Sequence, residues 1–437
     1  MDKEKIKYNL KKIFEDVKEF DKKAFENFTK PSKLFFNKGT LIKIEDLSLD
    51  AYYEILNELM NDDFIKKNFS EKFIDKKLQN FIVKIFLKQN ERFSDLDSEL
   101  NCFREEIKKD IKEWIIVVPI VNLNLEKSIK IGDIKFFNFK EQRENIKKHY
   151  FRILDRTKSP EAVKRTLKEE YEKMFNFLDS LSCAKLIIKA EFYKSLEIGY
   201  SKVEQALDVF RIYVPINVFS QRSFTGVLGD IVSTNSLILF YNNSECSSEH
   251  QAKGFLFPLE VDNSFIKIME DNGLSKINFI LTKIKPNKFE MSLITALHWF
   301  GKAIKNIEDK DRFVYFFVAL ESIFIKDRTE PINKNLAERT AFLLESEPSR
   351  RIQLSKIIID LYDLRSEIVH HGLIDVSPKD MKQLFLITQQ VILNLINNPI
   401  FENRDEFFER LEEIKYGVVN CMYSSEAENI FGILFSN

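Results

Sequence analysis

The sequence is poor in the residues and motifs that mark many ligand sites. Only 11 of its 437 residues are glycine, and it contains no glycine-rich phosphate loop, no GxGxxG fingerprint and no HExxH pair. Its four cysteines include no CxxC pair, so neither a zinc site nor a disulfide framework is predicted and reduced thiols are expected. We therefore expect no cofactor and no metal.

The sequence also lacks a large net charge and a long apolar run. Its formal net charge is −1, so it lacks the general affinity for nucleic acid that a strongly basic protein has. Any nucleic-acid site must therefore be a local cleft. The most continuous apolar run, 114–121, is too short to span a bilayer, and the charged N-terminus lacks the apolar core of a signal peptide. These absences predict a cytoplasmic protein without a membrane span.

Residues 1–113 are predicted to form an N-terminal helical region. Ile6, Leu10, Ile13 and Val17 recur at helical spacing among charged residues. No residue in this region indicates catalysis, so we interpret it as a scaffold.

Residues 114–286 are predicted to form a mixed α/β module. WIIVVPIV, SIKIGDIKFFNF and the run 184–193 are rich in β-branched and aromatic residues, which is typical of strands. A helix capped by Ser159 is predicted over 159–181 and another over 201–213. Further short apolar runs follow at 237–241, 255–261 and 277–281. The polar segment 244–250 is predicted to be a surface loop, because Cys246 and His250 alone are a weak metal signal.

Residues 287–400 are predicted to form an all-α domain, followed by a helical tail over 401–437. The predicted helices are 291–306, 311–326 with Asp311 as cap, 336–345, 349–370, 377–397 and, in the tail, 405–416. Ser377 is the predicted N-cap of the fifth helix, with Pro378 in its first turn. Long helices with short connections favour an antiparallel bundle, so the whole chain is predicted to be a multidomain α+β protein.

The fourth helix of this bundle carries the candidate chemistry, in SRRIQLSKIIIDLYDLRSEIVHHG. Two apolar rows run along it at helical spacing: Ile357, Leu361, Leu364 and Ile368 form the first, and Leu354, Ile358 and Val369, with Tyr362 nearby, form the second. Arg365 lies in the second row and therefore needs a carboxylate partner or an interface. Glu321, which interrupts the apolar second helix, is the predicted partner.

His370 and His371 fall in the last turn of the same helix, before Gly372 as predicted C-terminal cap. A helix C-terminus favours the protonated imidazole, and a histidine that titrates near neutrality can give or take a proton. Positions i and i+5 lie about 140° apart on a helix, so the two groups converge only if the helix end bends or a second copy completes the site. Elsewhere, His298 is predicted to be a core histidine and His149 a surface one.

These segments resemble a known family. LYDLRSEIVHHG resembles the Arg-x4-6-His signature of HEPN domains, and the order ALESIF, LAERTAFLL, LYDLRSEIVHHG resembles the Apea-like branch. The upstream VVPIVNLNL…IGDIKFFNF looks like the sheet-forming segment that often precedes the domain in that branch. The resemblance covers residues 291–400 and this upstream segment, and it implies a HEPN-like helical bundle.

The resemblance also implies a function. HEPN bundles commonly dimerise and bring two Arg/His motifs into one cleft, and many are metal-independent endoribonucleases in toxins and antiviral defence. It implies that Arg365 holds the scissile phosphate of an RNA substrate, that His370 is the acid/base, and that the RNA 2′-hydroxyl attacks to leave a cyclic phosphate. Ser366 occupies a polar position where many members carry Asn, Asp or His, and His371 is a second candidate.

Three functions remain open from the sequence. The first is a HEPN endoribonuclease whose N-terminal modules sense a trigger ligand or protein. The second is a non-catalytic HEPN homodimer that binds RNA or a nucleotide and scaffolds a partner, and it is favoured by Ser366 and by the fourteen basic and fourteen acidic residues over 291–400. The third, a HEPN domain modified by a linked nucleotidyltransferase, is disfavoured because Gly372 and Leu373 follow the histidines where that class carries a tyrosine.

Overall fold

The computed structural model describes residues 2–16, 18–19, 32–37, 40–87, 96–215, 219, 225–228, 233–241, 246–254, 257–327, 329–372, 375–398 and 401–419. The chain divides into two units. Unit 1 comprises Met1–Ile116 and Leu186–Ser201, and unit 2 comprises Val117–Lys185 and Lys202–Asn437. The described chain is mostly helical with mainly antiparallel sheets, which makes it an α+β protein. None of its described helices is long and apolar enough to cross a membrane.

Unit 1 combines helices with a small sheet. Its helices are α1 (Lys3–Asp16), α2 (Asp46–Met60), α3 (Asp63–Asn68), α4 (Glu71–Leu87) and α5 (Leu96–Lys108), and its strands are β1 (Lys18–Glu19), β2 (Ser32–Asn37) and β3 (Thr40–Glu45). The prediction that this region is helical throughout is wrong, because β1, β3 and β2 form an antiparallel sheet. Phe35, Ile42 and Ile44 of this sheet are buried in the same core as the helices, which is the burial that stabilises it.

The central strands confirm most of the strand predictions. They are β4 (Lys112–Val121), β5 (Leu123–Leu125), β6 (Ile129–Ile131), β7 (Ile134–Asn138), β8 (Ser182–Ala190), β9 (Gly226–Val227), β10 (Ser233–Tyr241), β11 (Cys246–Gly254) and β12 (Leu259–Val261). Five of them form a sheet in the order β6-β7-β8-β4-β9, while β5 pairs with β12 and β10 pairs with β11. The predicted loop 244–250 is wrong over residues 246–250, which belong to β11, and residues 244–245 lie outside the described residues.

The central helices are α6 (Phe139–Asp155), α7 (Glu161–Leu178), α8 (Phe192–Ile212), α9 (Asn263–Asp271) and α10 (Leu274–Thr282). Helix α6 was not predicted. Helix α7 confirms the helix expected after Ser159, but its N-cap is Pro160 and no side chain caps it. The apolar run 277–281 lies in α10 rather than in a strand. Two antiparallel helices, α6 and α7, therefore form a hairpin inserted between β7 and β8.

Six further helices form the C-terminal part of unit 2. They are α11 (Lys288–Lys305), α12 (Asp309–Phe324), α13 (Ile332–Leu344), α14 (Pro348–His371), α15 (Pro378–Asn397) and α16 (Arg404–Lys415). All six correspond to predicted helices. Ser377 caps α15 by accepting a hydrogen bond from the Asp380 N–H, as predicted, whereas the N-cap of α12 is Glu308 rather than Asp311.

Helix α12 is the central helix of this bundle. Its buried residues fall on most of its circumference: Arg312, Phe313, Phe316, Phe317, Ala319, Leu320, Ile323 and Phe324. It packs against α11, α13, α14 and α15. This confirms the prediction of a buried central helix and places Glu321 within the bundle.

Candidate active site

The candidate site is built on the antiparallel packing of α12 and α14. The Phe317 and Tyr362 rings meet edge to face with centroids 5.2 Å apart. At the other end of the pair, the Lys310 ammonium donates a hydrogen bond to the Gly372 carbonyl at 2.9 Å. These contacts set the register that brings Glu321 of α12 beside Arg365 of α14.

Glu321, Arg365 and Tyr362 form a connected polar cluster. The Arg365 Nη2 and Glu321 Oε1 atoms are 3.6 Å apart, and each side chain is 21% exposed. The Tyr362 hydroxyl donates a hydrogen bond to the same Oε1 atom at 3.1 Å, and the Arg365 guanidinium lies 5.4 Å from the Tyr362 ring centroid. The predicted Glu321–Arg365 contact is therefore confirmed, and Tyr362 is a third member that was not predicted.

The electrostatics of the cluster fix the role of Tyr362 as a donor. Burial, followed by the Glu321 carboxylate, raises the pKa of Tyr362 to about 12, so its hydroxyl remains protonated. At 3.6 Å, the Arg365–Glu321 contact is an ion pair longer than a hydrogen bond. The Arg365 Nε atom is buried and has no hydrogen-bond partner in the described part of the chain. The guanidinium is thus held by charge, and an anion can reach it only through its exposed fraction of 21%.

The two histidines lie at the exposed end of α14. His370 and His371 are both exposed, and Ser366 is half-buried. Gly372 ends the helix with a left-handed φ of 70°, and its N–H bonds to the Ile368 carbonyl at 3.0 Å. This confirms the predicted glycine cap.

Helix α14 does not bring Arg365 and His370 together within one chain. It is α-helical without interruption from Pro348 to His371, so the bend that would converge the two groups is absent from these residues. Side chains five positions apart on a regular helix point about 140° away from each other. Of the two arrangements left open by the sequence, the bent helix end is not found in α14, and completion by a second copy stays a prediction.

The buried face of α14 differs from the two predicted rows. It takes members from both: Leu354, Ile358, Leu361, Tyr362 and Ile368. Val369 was predicted to lie in the apolar row of Arg365, but it is 50% exposed. The helix end from Val369 onward therefore faces solvent.

A cavity of about 330 Å³ lies beside the site, between α14 and α15. Its wall includes Leu361 and Leu364 and two carboxylates, Asp360 and Asp380. Neither Arg365 nor His370 lines it. The cavity is acidic and does not suit a phosphate, so it is not part of the proposed site.

A second charged cluster, which the sequence did not predict, connects α8 to α11. Asp208 and Arg211 are both buried, and Arg211 Nη1 bonds to Asp208 Oδ1 at 2.6 Å. Arg211 Nη2 also donates to the Thr225 carbonyl at 2.7 Å. Burial raises the pKa of Asp208, which a hydrogen bond with His298 and the charge of Arg211 partly offset. The available signal was the pair Asp208 and Arg211, three residues apart in an apolar helix.

His298 belongs to this second cluster and is not a core residue. Its Nδ1 atom lies 3.3 Å from Asp208 Oδ2, and its side chain is 46% exposed. The prediction of a packed histidine is therefore wrong. Gly301, one turn further along α11, allows the approach, because a Cβ atom there would overlap Asp208 Oδ1. His149 is exposed, as predicted.

Neither cluster is a metal centre. Among the residues that the structure describes, no group of three or more histidine, cysteine, aspartate or glutamate side chains could hold a metal ion. The side chains of Cys246 and His250 lie outside this description. The side chains of Arg365 and His370 can themselves supply anion binding and proton transfer.

We expect Glu321→Gln to lower the activity of the site more than the stability of the fold. The variant removes the charge that holds Arg365 but keeps a hydrogen-bond acceptor for Tyr362. Misplacement of a catalytic group by about 1 Å can cost roughly 100-fold in rate. We therefore expect the kcat of the RNA cleavage predicted from the sequence to fall about 10- to 100-fold. The matched control is Glu338→Gln, which breaks the Lys415 ion pair on the same bundle. An equal loss of kcat in both variants would contradict a positioning role for Glu321.

The chain matches no family model, no curated protein and no solved structure.

Proposed function

We propose that this chain is a metal-independent endoribonuclease of the HEPN type, acting as a toxin or antiviral defence effector, with Arg365 and His370 as its catalytic residues. The observation that carries the proposal is the Glu321–Arg365 ion pair. It holds a guanidinium in an otherwise apolar interface, next to a helix end with an exposed histidine. The order of the ALESIF, LAERTAFLL and LYDLRSEIVHHG segments, which lie on α12, α13 and α14, supports it further.

In the proposed reaction, Arg365 binds the scissile phosphate. A guanidinium presents paired N–H donors that match phosphate oxygens and remains charged at all physiological pH values. Charge accumulates on the non-bridging oxygens as the 2′-hydroxyl attacks, so a fixed cation stabilises the transition state more than the substrate. The Glu321 carboxylate and the Tyr362 hydroxyl orient this cation rather than touch the RNA.

Proton transfer is assigned to His370. The 2′-oxygen forms a bond to phosphorus as its proton passes to an imidazole, and the bond from phosphorus to the 5′-oxygen breaks as that oxygen receives a proton. The products are a 2′,3′-cyclic phosphate and a free 5′-hydroxyl. Because Arg365 and His370 diverge on one regular helix, we propose that the site is shared by two copies of the chain, each supplying one of the two groups at a given phosphate.

The proposal is tested by cleavage of a mixed RNA pool in excess EDTA. Wild-type protein is expected to cleave it and to leave cyclic-phosphate ends, while the Arg365→Ala/His370→Ala double variant leaves the pool intact. Sedimentation of the wild type is expected to show a homodimer. A cleavage activity that EDTA removes, or that the double variant retains, would rule out this chemistry.

The second candidate is a non-catalytic HEPN homodimer that binds RNA or a nucleotide and scaffolds a partner. The uninterrupted α14, which separates Arg365 from His370, favours it. In this case the protein binds RNA but leaves it intact in the same assay, and Arg365→Ala weakens binding.

A further inference from the structure

The α6–α7 hairpin is basic at its outer end. Over residues 147–168, which span the end of α6, the turn and the start of α7, the sequence has eight lysine and arginine residues and two acidic ones. The chain as a whole carries −1. Positive charge is therefore concentrated on one short segment, which we call the basic tip.

Most of the basic tip lies away from the core of the hairpin, although Phe151 packs against that core. The base of the hairpin is fixed by an apolar cluster of Phe137, Phe139, Phe175, Leu178 and Cys183. Within the tip, only Leu154 is buried. Each helix rises about 1.5 Å per residue, so residues near the turn lie roughly 20 Å along the helix axis from Phe139. The tip is thus a solvent-facing projection.

Several cations of the tip have no acidic partner. Lys164 pairs with Glu161, Arg165 with Glu169 and Lys168 with Asp155, while Lys147 pairs with Glu172. No ion pair with a carboxylate involves Lys148, Arg152, Arg156 or Lys158 within the described ranges. Lys148, Arg152 and Arg156 follow each other at i, i+4 and i+8, which places them on one face of α6 and its C-cap.

Exposed apolar and aromatic groups lie on other faces of the same hairpin. Tyr150 is 42% exposed although its ring contacts Tyr171 and Phe175, with centroids 5.3 and 5.7 Å away. Ile153 and Val163 are also exposed. Tyr150 lies two positions from Lys148 and Arg152, so it projects from the other side of α6. Arg152 contacts the His149 ring nitrogen at 3.0 Å. Exposed cations without a carboxylate partner are the feature that binds the phosphates of a flexible nucleic acid.

We propose that the basic tip is the RNA-capture surface of the protein and that it binds single-stranded RNA through the phosphates. The proposal rests on the RNA substrate of the proposed function. Lys148, Arg152, Arg156 and Lys158 contact the backbone phosphates. The surface supplies affinity that the neutral bundle, with equal numbers of acidic and basic residues, does not supply.

The test is the affinity of a short fluorescent single-stranded RNA, measured by anisotropy over a salt series. All proteins carry Arg365→Ala/His370→Ala, so that the RNA remains intact. Neutralising four phosphate contacts should reduce the slope of log affinity against log salt by about 3. We therefore expect the tip variant, Lys148→Gln/Arg152→Gln/Arg156→Gln/Lys158→Gln, to bind at least about tenfold more weakly at low salt and with this smaller slope.

The control makes the same change of charge in unit 1. Lys66, Lys67, Lys76 and Lys109 are exposed lysines, and their replacement by Gln should leave affinity and slope near the parent values. Equal losses in the tip and control variants, an unchanged tip variant, or binding to phosphatidylserine vesicles in place of RNA would overturn the proposal. Circular dichroism of both variants checks that the helices are retained.

This test separates the capture surface from the proposed chemistry. If the basic tip binds RNA but the protein is not a nuclease, the tip variant loses RNA binding while the wild type leaves RNA uncut. If the protein is a nuclease but the basic tip does not bind RNA, the wild type cleaves RNA in EDTA. The tip variant then binds and cleaves RNA as well as the control variant does. With both correct, the tip variant raises KM at nearly unchanged kcat, whereas the Arg365 and His370 variants lower kcat.

Discussion

Arg365→Ala and His370→Ala are each expected to remove most RNA cleavage without unfolding the protein. Loss of a donor to developing charge lowers kcat by about 100- to 1,000-fold, and loss of a general acid or base costs about 100- to 10,000-fold. Because both groups act on one phosphate, the double variant should be little worse than either single one. Single-turnover cleavage of RNA at saturating protein measures the effect.

Stability should change little in these variants. His370 is exposed, and replacing an exposed side chain usually changes the free energy of unfolding by less than about 0.5 kcal/mol. Arg365→Ala leaves Glu321 with the Tyr362 hydrogen bond and with partial access to water. Circular dichroism and thermal unfolding provide the check.

Two control variants test whether the loss of cleavage is specific to Arg365 and His370. His371→Ala removes the neighbouring exposed imidazole, so its activity decides which histidine transfers the proton. Arg410→Ala removes an arginine that pairs with Glu413 on α16, far along the sequence from α14. Full cleavage by Arg365→Ala, or an equal loss in Arg410→Ala, would exclude Arg365 as the phosphate-binding group.

A shared site adds a second expectation for the same variants. If each copy supplies one of the two groups, mixing Arg365→Ala protein with His370→Ala protein forms heterodimers in which one intact site is restored. Activity should then reappear on mixing inactive proteins, to roughly one quarter of the wild-type value per chain when subunits exchange at random. No recovery, with subunit exchange demonstrated, would place the complete site within one chain.

Asp208→Ala is expected to destabilise the fold strongly, and more than any single substitution in the Arg365 cluster. It leaves the Arg211 guanidinium buried without its closest carboxylate. Breaking a buried ion pair by removing one partner costs about 3–5 kcal/mol when the remaining charge is uncompensated. Glu204 still pairs with Arg211 Nη1 at 3.2 Å, so we expect a loss near the lower end of this range, about 3 kcal/mol. The free energy of unfolding in urea measures the loss.

The companion variants identify the cause. His298→Ala removes the exposed partner of Asp208 and should cost less than about 1 kcal/mol. Asp208→Ala/Arg211→Met removes both buried charges and should recover part of the loss, because a coupled pair is not additive. If the double variant is at least as unstable as the sum of its two single variants, then lost packing, and not the buried charge of Arg211, is responsible.

The sequence predicts the C-terminal helices well because their signals are local. Ser377 and Pro378 mark the start of α15, Gly372 marks the end of α14, and the Phe-rich run of α12 indicates burial on nearly all sides. The Glu321–Arg365 contact was predictable for a related reason: each is an ionisable residue in an apolar row, and each neutralises the other.

The features that the sequence did not predict depend on distant partners. The strand β11 has a polar sequence, and its backbone pairing with β10 makes it a strand. Asp208 and His298 are 90 residues apart, so no local pattern reveals that a buried carboxylate turns the histidine toward solvent. Helix α6 has only two buried residues, which leaves too weak an apolar stripe for its period to be recognised.

The close approach at Gly301 makes two distant positions depend on each other. A methyl group at 301 and a carboxylate at 208 would occupy the same volume. Asp208 can therefore stay in its buried position only while residue 301 is glycine. A shorter residue at 208 would remove that steric overlap, and Arg211 would then lose its closest carboxylate partner. Divergent descendants of this sequence should therefore exchange residues 208, 211 and 301 as a set, with intermediates of low fitness between the two states.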